Sequence, residues 1–96
     1  MSTRLHVVRA GSGAPIVFLH GMGTSAATWQ RGMELLGDRF TVLAPDLLGH
    51  GASPIPDDPD EYTRDRTLVD LDDVIADLDA RPVLVGHSLG GYLALA

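Results

Sequence analysis

A serine lies between two glycines in the stretch GHSLG at residues 86–90. The apolar run PVLV before it predicts a buried strand, and LGGYLALA after it predicts a helix. A serine at such a strand-to-helix turn has a strained backbone that exposes its hydroxyl, and it needs small neighbours such as Gly86 and Gly90. The N–H of Leu89 stands at the helix start, where anions are favoured. The pattern predicts Ser88 as a nucleophile, and a serine without chemistry in a glycine-rich turn is the alternative.

A second glycine-rich turn, HGMG at residues 20–23, follows the apolar run IVFLH. If both runs are parallel strands of one sheet, this turn lies beside Ser88 at the carboxyl edge, where α/β sheets bind their ligands. Glycines let the backbone approach a ligand closely, so we expect His20 and Gly21 to contact the substrate. The N–H of Met22 is a second donor, and two donors that face one oxygen make an oxyanion hole.

Four strands and two helices are predicted before Ser88, and a third helix begins after it. The strands span residues 4–10, 16–20, 40–46 and 82–87, and the helices span residues 28–36 and 65–79. From residue 16 onwards, the order strand, helix, strand, helix, strand predicts right-handed crossovers onto a parallel sheet with helices on both faces. We therefore predict the α/β class, arranged as a three-layer α/β/α sandwich.

The segment 65–79 shows the clearest helical period. Its apolar residues recur at spacings of three and four and are expected to face the core: Leu68, Leu71, Ile75 and Leu78. Its carboxylates are expected to face solvent: Asp70, Asp72, Asp73, Asp77 and Asp79. The acidic stretch just upstream, which contains Asp57, Asp58 and Asp60, predicts a solvated loop.

The composition excludes several classes of function. The 96-residue chain carries a net charge of −6, which argues against nucleic-acid binding, because phosphates are neutralised by basic patches. It has no cysteine, which removes thiolate catalysis and thiolate metal sites. No apolar run approaches the ~20 residues that cross a bilayer, and the first residues lack the layout of a signal peptide, so we expect a cytoplasmic protein. A small-molecule substrate is expected, with no metal and no cofactor.

Three stretches carry a resemblance to a known superfamily. HGMG, PDLLGHGAS and GHSLGG, in this order and each at the end of a predicted strand, resemble the N-terminal half of an α/β-hydrolase. The resemblance spans essentially the whole chain, and Trp29 stands where many members carry an aromatic residue. It implies that Ser88 is the nucleophile and that the N–H groups of Met22 and Leu89 form the oxyanion hole. It also implies that the loop around Asp46 is structural.

The resemblance further implies that the acid and the histidine that activate the serine follow it in the chain. We therefore expect residues 1–96 to be the N-terminal portion of a single hydrolase domain. The acid, the histidine and the lid are expected beyond residue 96, so that the chain alone is inactive.

The upstream histidines are not expected to replace that base. His87 should point to the side of its strand opposite Ser88, and His6 stands far upstream in an edge-type strand. His20 and His50 stand where histidines of the family hold loops by hydrogen bonds.

The implied function is a serine hydrolase that acts on a small ester or related acyl compound through an acyl-enzyme at Ser88. Thioesters, lactones, vinylogous C–C bonds and peptides with small N-terminal residues are cleaved with the same motifs. Epoxide hydrolases and haloalkane dehalogenases share the fold but place aspartate where Ser88 stands, which disfavours both.

Two other functions stay open at this point. The turn Gly21–Gly23 also fits a dinucleotide-binding fingerprint, with Asp46 after the next strand as the acid that would bind a ribose. A non-catalytic relative of the hydrolases is the other alternative, because a serine can persist without its partners.

Overall fold

The computed structural model describes residues 5–55, 63–78 and 80–95. The strands are β1 (Val7–Ala10), β2 (Ala14–Leu19), β3 (Phe40–Pro45) and β4 (Val83–Gly86). The helices are a 3-10 turn (Ala26–Trp29), α1 (Gln30–Leu36), α2 (Arg64–Ala76) and α3 (Leu89–Leu95). None of the helices in these ranges is long and apolar enough to cross a membrane.

The four strands form one mixed sheet in the order β1-β3-β2-β4. Strands β2, β3 and β4 are parallel, as predicted, and β1 pairs antiparallel with β3. A parallel connection needs a crossover of a dozen or more residues, whereas only residues 11–13 separate β1 from β2. The chain therefore reverses at this turn, and β1 is added as an antiparallel edge to a parallel sheet.

Helices cover both faces of the sheet, which confirms the three-layer arrangement. On one face, α2 and α3 bury apolar side chains with those of the strands: Leu5, Val17, Leu19, Leu43, Leu71 and Leu93. On the other face, the 3-10 turn and α1 cover a second set: Ile16, Phe18, Ala26, Met33, Val42 and Ala44. Both layers pack on β2 and β3, the two central strands, and so fix the positions of the turns that follow them.

Helix α2 differs from the prediction at its end and on one face. Its last residue is Ala76, and Asp79 lies outside the described residues, as do Asp57, Asp58 and Asp60. Asp70 was expected to face solvent but is 1% exposed. Arg66, one turn earlier, places Nε at 3.6 Å from the Asp70 carboxylate, and this pairing offsets part of the cost of burying the charge. A pattern of apolar positions does not show such a pair, since it assigns every carboxylate to solvent.

Candidate active site

Ser88 has a backbone conformation that residues other than glycine rarely adopt. Its φ is +56°, and it is the only non-glycine with a positive φ among the residues that the structure describes. Strand β4 ends at Gly86 and α3 begins at Leu89, so the left-handed residue forms the sharp turn between them. A left-handed conformation costs an L-residue about 1–2 kcal/mol. The Ser88 side chain is exposed, as a nucleophile requires.

The glycines around Ser88 allow α3 to pack against the ends of two strands. A Cβ on Gly86 would overlap the carbonyl oxygen of Gly90. A Cβ on Gly90 would overlap the carbonyl oxygen of Leu19, at the end of β2. Neither backbone segment can move aside without breaking the turn, so both positions require glycine.

The turn after β2 lies directly beside Ser88. A Cβ on Gly21 would be 3.4 Å from the Cβ of Ser88 and 3.3 Å from the carbonyl oxygen of His87. The N–H of His87 donates to the Leu19 carbonyl at 3.1 Å and ties the two turns together. Met22 follows Gly21 and is 74% exposed. The structure thus brings together the two turns that the sequence analysis singled out.

His87 lies on the same side as this turn, contrary to the sequence expectation. Its Nδ1 would be 3.3 Å from a Cβ on Gly21, so the ring packs against the turn next to Ser88. Side chains alternate between the faces of a sheet only while the backbone is extended. Here the strand ends at Gly86, and the left-handed Ser88 breaks the alternation.

His20 is completely buried beneath the turn, with 0% of its surface exposed. Its Nε2 accepts the N–H of Leu47 at 2.9 Å, and its Nδ1 donates to the Gly21 carbonyl at 2.8 Å. Burial lowers the pKa of His20 below 6.5 and outweighs the opposite effect of the Gly21 hydrogen bond. The ring is therefore neutral and holds the turn, and this placement does not support the predicted contact between His20 and the substrate.

His50 holds the other end of the same turn by hydrogen bonds, as the resemblance implies for the histidine at this position. Its Nε2 accepts the N–H of Gly23 at 3.0 Å, and its Nδ1 donates to the Leu48 carbonyl at 3.0 Å. The centroids of the His20 and His50 rings are 5.0 Å apart. The resemblance implies that His50 holds a loop, but it does not identify Gly23 as the partner.

Asp46 is the anchor of the loop that follows β3. Its carboxylate accepts the N–H of Ala26 at 2.7 Å and that of Ala52 at 3.0 Å, and the Nδ1 of His6 lies 3.2 Å away. Burial raises the pKa of Asp46, but the hydrogen bonds from Ala26, Ala52 and His6 outweigh it and lower the pKa below its ordinary value. The carboxylate is therefore ionised and joins the start of β1, the 3-10 turn and the loop.

Three of the four described histidines upstream of Ser88 are thus engaged in the scaffold, whereas His87 lies against the Gly21 turn. His6 pairs with Asp46, and His20 and His50 bind backbone groups of the two loops. These contacts agree with a base supplied from elsewhere, which stays a prediction.

Comparison with known proteins decides the family. The model of the alpha/beta hydrolase family matches residues 16–96. The chain belongs to the alpha/beta hydrolase family. Among its relatives, an uncharacterised protein of Mycobacterium tuberculosis is 44% identical over 87 residues, which are 90% of this chain and 25% of that protein. The soluble epoxide hydrolase of a Corynebacterium species is 37% identical over 92 residues, which are 95% of this chain and 32% of that enzyme.

A solved structure with a similar backbone confirms the fold. The crystal structure of E-2-(acetamidomethylene)succinate hydrolase matches with a TM-score of 0.86 and 36% identity. The match covers 95% of this chain and 34% of that one. The chain thus spans about a quarter to a third of the length of these relatives.

Proposed function

We propose that this chain is the N-terminal portion of one alpha/beta hydrolase domain and that the whole protein is a serine hydrolase. The observation that carries the proposal is the left-handed, exposed Ser88 with the Gly21 turn packed beside it. A structural serine has no need of a strained turn, whereas a nucleophile must project from the sheet edge. The substrate class that we propose is a small ester or a related acyl compound.

The proposed reaction begins with attack of the Ser88 hydroxyl oxygen on the carbonyl carbon of the substrate. The serine proton passes to the histidine base, which we place beyond residue 96, and the carbonyl π electrons move onto oxygen. The N–H groups of Met22 and Leu89 stabilise this oxyanion, and one such donor contributes about 10²–10³ in rate. Collapse expels the alcohol, which takes the proton from the base. Water then cleaves the acyl-enzyme by the same steps.

An epoxide substrate is the second candidate, because one relative is named as a soluble epoxide hydrolase. The residue at position 88 argues against it. A serine opens an epoxide to an ether that water does not readily cleave, whereas an aspartate forms an ester that water hydrolyses. Ser88 therefore favours acyl substrates.

Dinucleotide binding at the Gly21–Gly23 turn is disfavoured because a carboxylate already binds the N–H group at the start of the helix that follows. A pyrophosphate binds N–H groups at the amino end of the helix that follows the glycine turn. Here the Asp46 carboxylate already accepts the Ala26 N–H, at the first residue of the 3-10 turn. A phosphate would meet a resident negative charge at that point.

The experiment uses the protein purified from its source. Its intact mass is expected to correspond to about three times 96 residues, in keeping with the share of the relatives that the chain covers. Turnover of p-nitrophenyl acetate and butyrate is then compared among the parent, Ser88→Ala and Ser12→Ala. Ser12 is an exposed serine in the β1–β2 turn, at the opposite edge of the sheet, and serves as the matched control.

We expect Ser88→Ala to lose at least about 10³-fold in kcat and Ser12→Ala to keep the parent rate. A folded parent protein without turnover would support the non-catalytic alternative. Equal rates in Ser88→Ala and the parent would refute the assignment of the nucleophile. Opening of styrene oxide without ester turnover would favour the epoxide candidate. The cytoplasmic location stays a prediction.

A further inference from the structure

Two imidazoles connect the turn after β2 with the loop after β3, one from each side. His20 belongs to the first segment and accepts an N–H of the second, that of Leu47. His50 belongs to the second segment and accepts an N–H of the first, that of Gly23. We call this reciprocal pair the imidazole brace.

The partners of the brace define the protonation of both rings. An Nε2 atom that accepts an amide N–H must carry a lone pair, so each ring has its proton on Nδ1. Each Nδ1 faces a carbonyl oxygen, that of Gly21 for His20 and that of Leu48 for His50. All four ring nitrogens are therefore satisfied only in the neutral state. A proton on either Nε2 would face an amide proton and break the bridge between the segments.

The brace holds both ends of the segment that contains Met22. On one side, the Gly21 carbonyl accepts the His20 ring and the Thr24 hydroxyl, the latter at 2.7 Å. On the other side, the Gly23 N–H is bound to His50. An oxyanion donor must be held about 2.7–3.1 Å from the oxygen that it stabilises, so release of one end moves the Met22 N–H out of position.

We propose that His20 and His50 are positioning residues that hold the Met22 N–H in place while both rings are neutral, and that a proton on either ring releases this turn in acid. The catalytic consequence rests on the proposed function. The brace itself does not, because its contacts involve only scaffold atoms.

The groups around His20 shift its pKa in opposite directions. The two rings lie 5.0 Å apart, so a charge on His50 disfavours a proton on His20. Burial and His50 lower the pKa of His20, whereas the Gly21 hydrogen bond and Asp46 raise it. Two more titratable side chains face this region: His6 lies against Asp46, and His87 lies against Gly21 from the β4 side.

Two substitutions of His50 test its two hydrogen bonds one at a time. Gln places a polar atom near the position of Nε2, so His50→Gln can keep the bond to Gly23 with an acceptor that does not titrate. Asn reaches only the position of Nδ1, so His50→Asn can keep the bond to Leu48 and loses the bridge. His50 is partly exposed, whereas His20 is fully buried and its replacement endangers folding. The matched pair at position 50 is therefore the sharper test.

The first measurement is hydrogen exchange and the chemical shift of the Gly23 amide between pH 8 and pH 5, in the protein purified from its source. We expect an amide that is protected at pH 8 in the parent and loses its protection on acidification, after correction for intrinsic exchange. In His50→Gln the protection should persist to pH 5. In His50→Asn it should be at least about tenfold lower at every pH, because the acceptor is absent.

The second measurement is the pH profile of kcat. At pH 8 we expect His50→Asn to be about tenfold slower than the parent, a smaller loss than removal of a whole donor. We expect His50→Gln to recover most of that loss. Because a single proton releases the turn, the acid limb of the parent should have the slope of one protonation, and His50→Gln should shift it to lower pH.

Equal Gly23 protection in the parent and His50→Asn, or protection in the parent that does not change with pH, would overturn the proposal. If the Gly23 amide behaves as expected but kcat is equal in the parent, His50→Gln and His50→Asn, then the positioning role is wrong. If the amide behaves as expected but Ser88→Ala keeps full activity, the proposed function fails while the brace stands.

Discussion

The backbone of Ser88 is held in a conformation that favours glycine, and two substitutions separate this strain from chemistry. Ser88→Ala keeps a Cβ at a φ of +56°, whereas Ser88→Gly removes it. Both should abolish hydrolysis. We expect Ser88→Gly to be more stable than Ser88→Ala by about 1 kcal/mol, reduced in part by the greater entropy of an unfolded glycine. Urea unfolding of both variants measures the difference, and a less stable Ser88→Gly would contradict the strain.

Gly21 and Gly23 flank Met22 and differ in the space that is available for a side chain. A Cβ on Gly21 would press on His87 and Ser88 at 3.3–3.4 Å, whereas one on Gly23 would meet nothing within 4 Å. We expect Gly21→Ala to lower kcat about 10- to 100-fold, because it shifts the turn away from Ser88.

Gly23→Ala is the matched control for that variant. Its φ is +80°, so its main cost should be about 1 kcal/mol in the free energy of unfolding, with a smaller effect on kcat. Steady-state kinetics and urea unfolding of both variants provide the comparison. A larger loss of kcat in Gly23→Ala than in Gly21→Ala would contradict the packing of the turn on Ser88.

Asp46 should make the stability of the protein depend on pH in strong acid. Its folded pKa is lowered below 3.8, so its contribution is complete above that pH and is lost as the pH falls through the folded pKa. Asp46→Asn puts an amide N–H₂ against N–H donors, and we expect a loss of about 2 kcal/mol at pH 7. Urea unfolding at pH 7 and pH 3 measures both effects. A difference between parent and variant that is equal at the two pH values would contradict the role of the charge.

At the scale of elements, the junction of β4, α3 and β2 depends on glycine at position 90. Gly90→Ala would place a Cβ against the Leu19 carbonyl, a backbone atom that cannot move aside, and we expect a loss of more than about 3 kcal/mol or failure to fold. Gly32→Ala is the matched control on α1. Its Cβ would meet only Phe18, at 4.0 Å, so a neutral to slightly stabilising change is expected. Thermal unfolding compares the two, and a tolerated Gly90→Ala would contradict the close approach.

The elements were predictable because their signals are local. The apolar runs that became β2, β3 and β4, and the glycines that end two of them, stand in the sequence as contiguous patterns. The features that escaped prediction depend on which side chains and backbone groups pair with each other. Asp70 is buried and pairs with Arg66, one turn earlier on the same helix, and the partner of His50 is Gly23, 27 positions earlier in the chain. Periodicity assigns each side chain to a face but does not pair one residue with another.

At the scale of the whole molecule, the sheet has an open apolar edge. Strand β4 pairs only with β2 among the described strands, and Val83 on it is 61% exposed. Such an edge is a template for pairing with another chain. We expect the 96-residue chain, when produced alone, to self-associate at concentrations of tens of micromolar.

A charge on that edge should weaken the association. Val83→Lys is compared with Val69→Lys, a matched change at a 45% exposed position on α2. Light scattering coupled to size exclusion should show less association for Val83→Lys and no change for Val69→Lys. A chain that is monomeric without either substitution would contradict the role of the edge.

The identity of the nucleophile is the centre of the account, and covalent labelling tests it most directly. The protein purified from its source is treated with a fluorophosphonate and digested, and the adduct is located by mass spectrometry. The account predicts one phosphonyl group per chain, on the peptide that contains Ser88, and none in Ser88→Ala. An adduct on another serine, or no adduct on the folded protein, would contradict it.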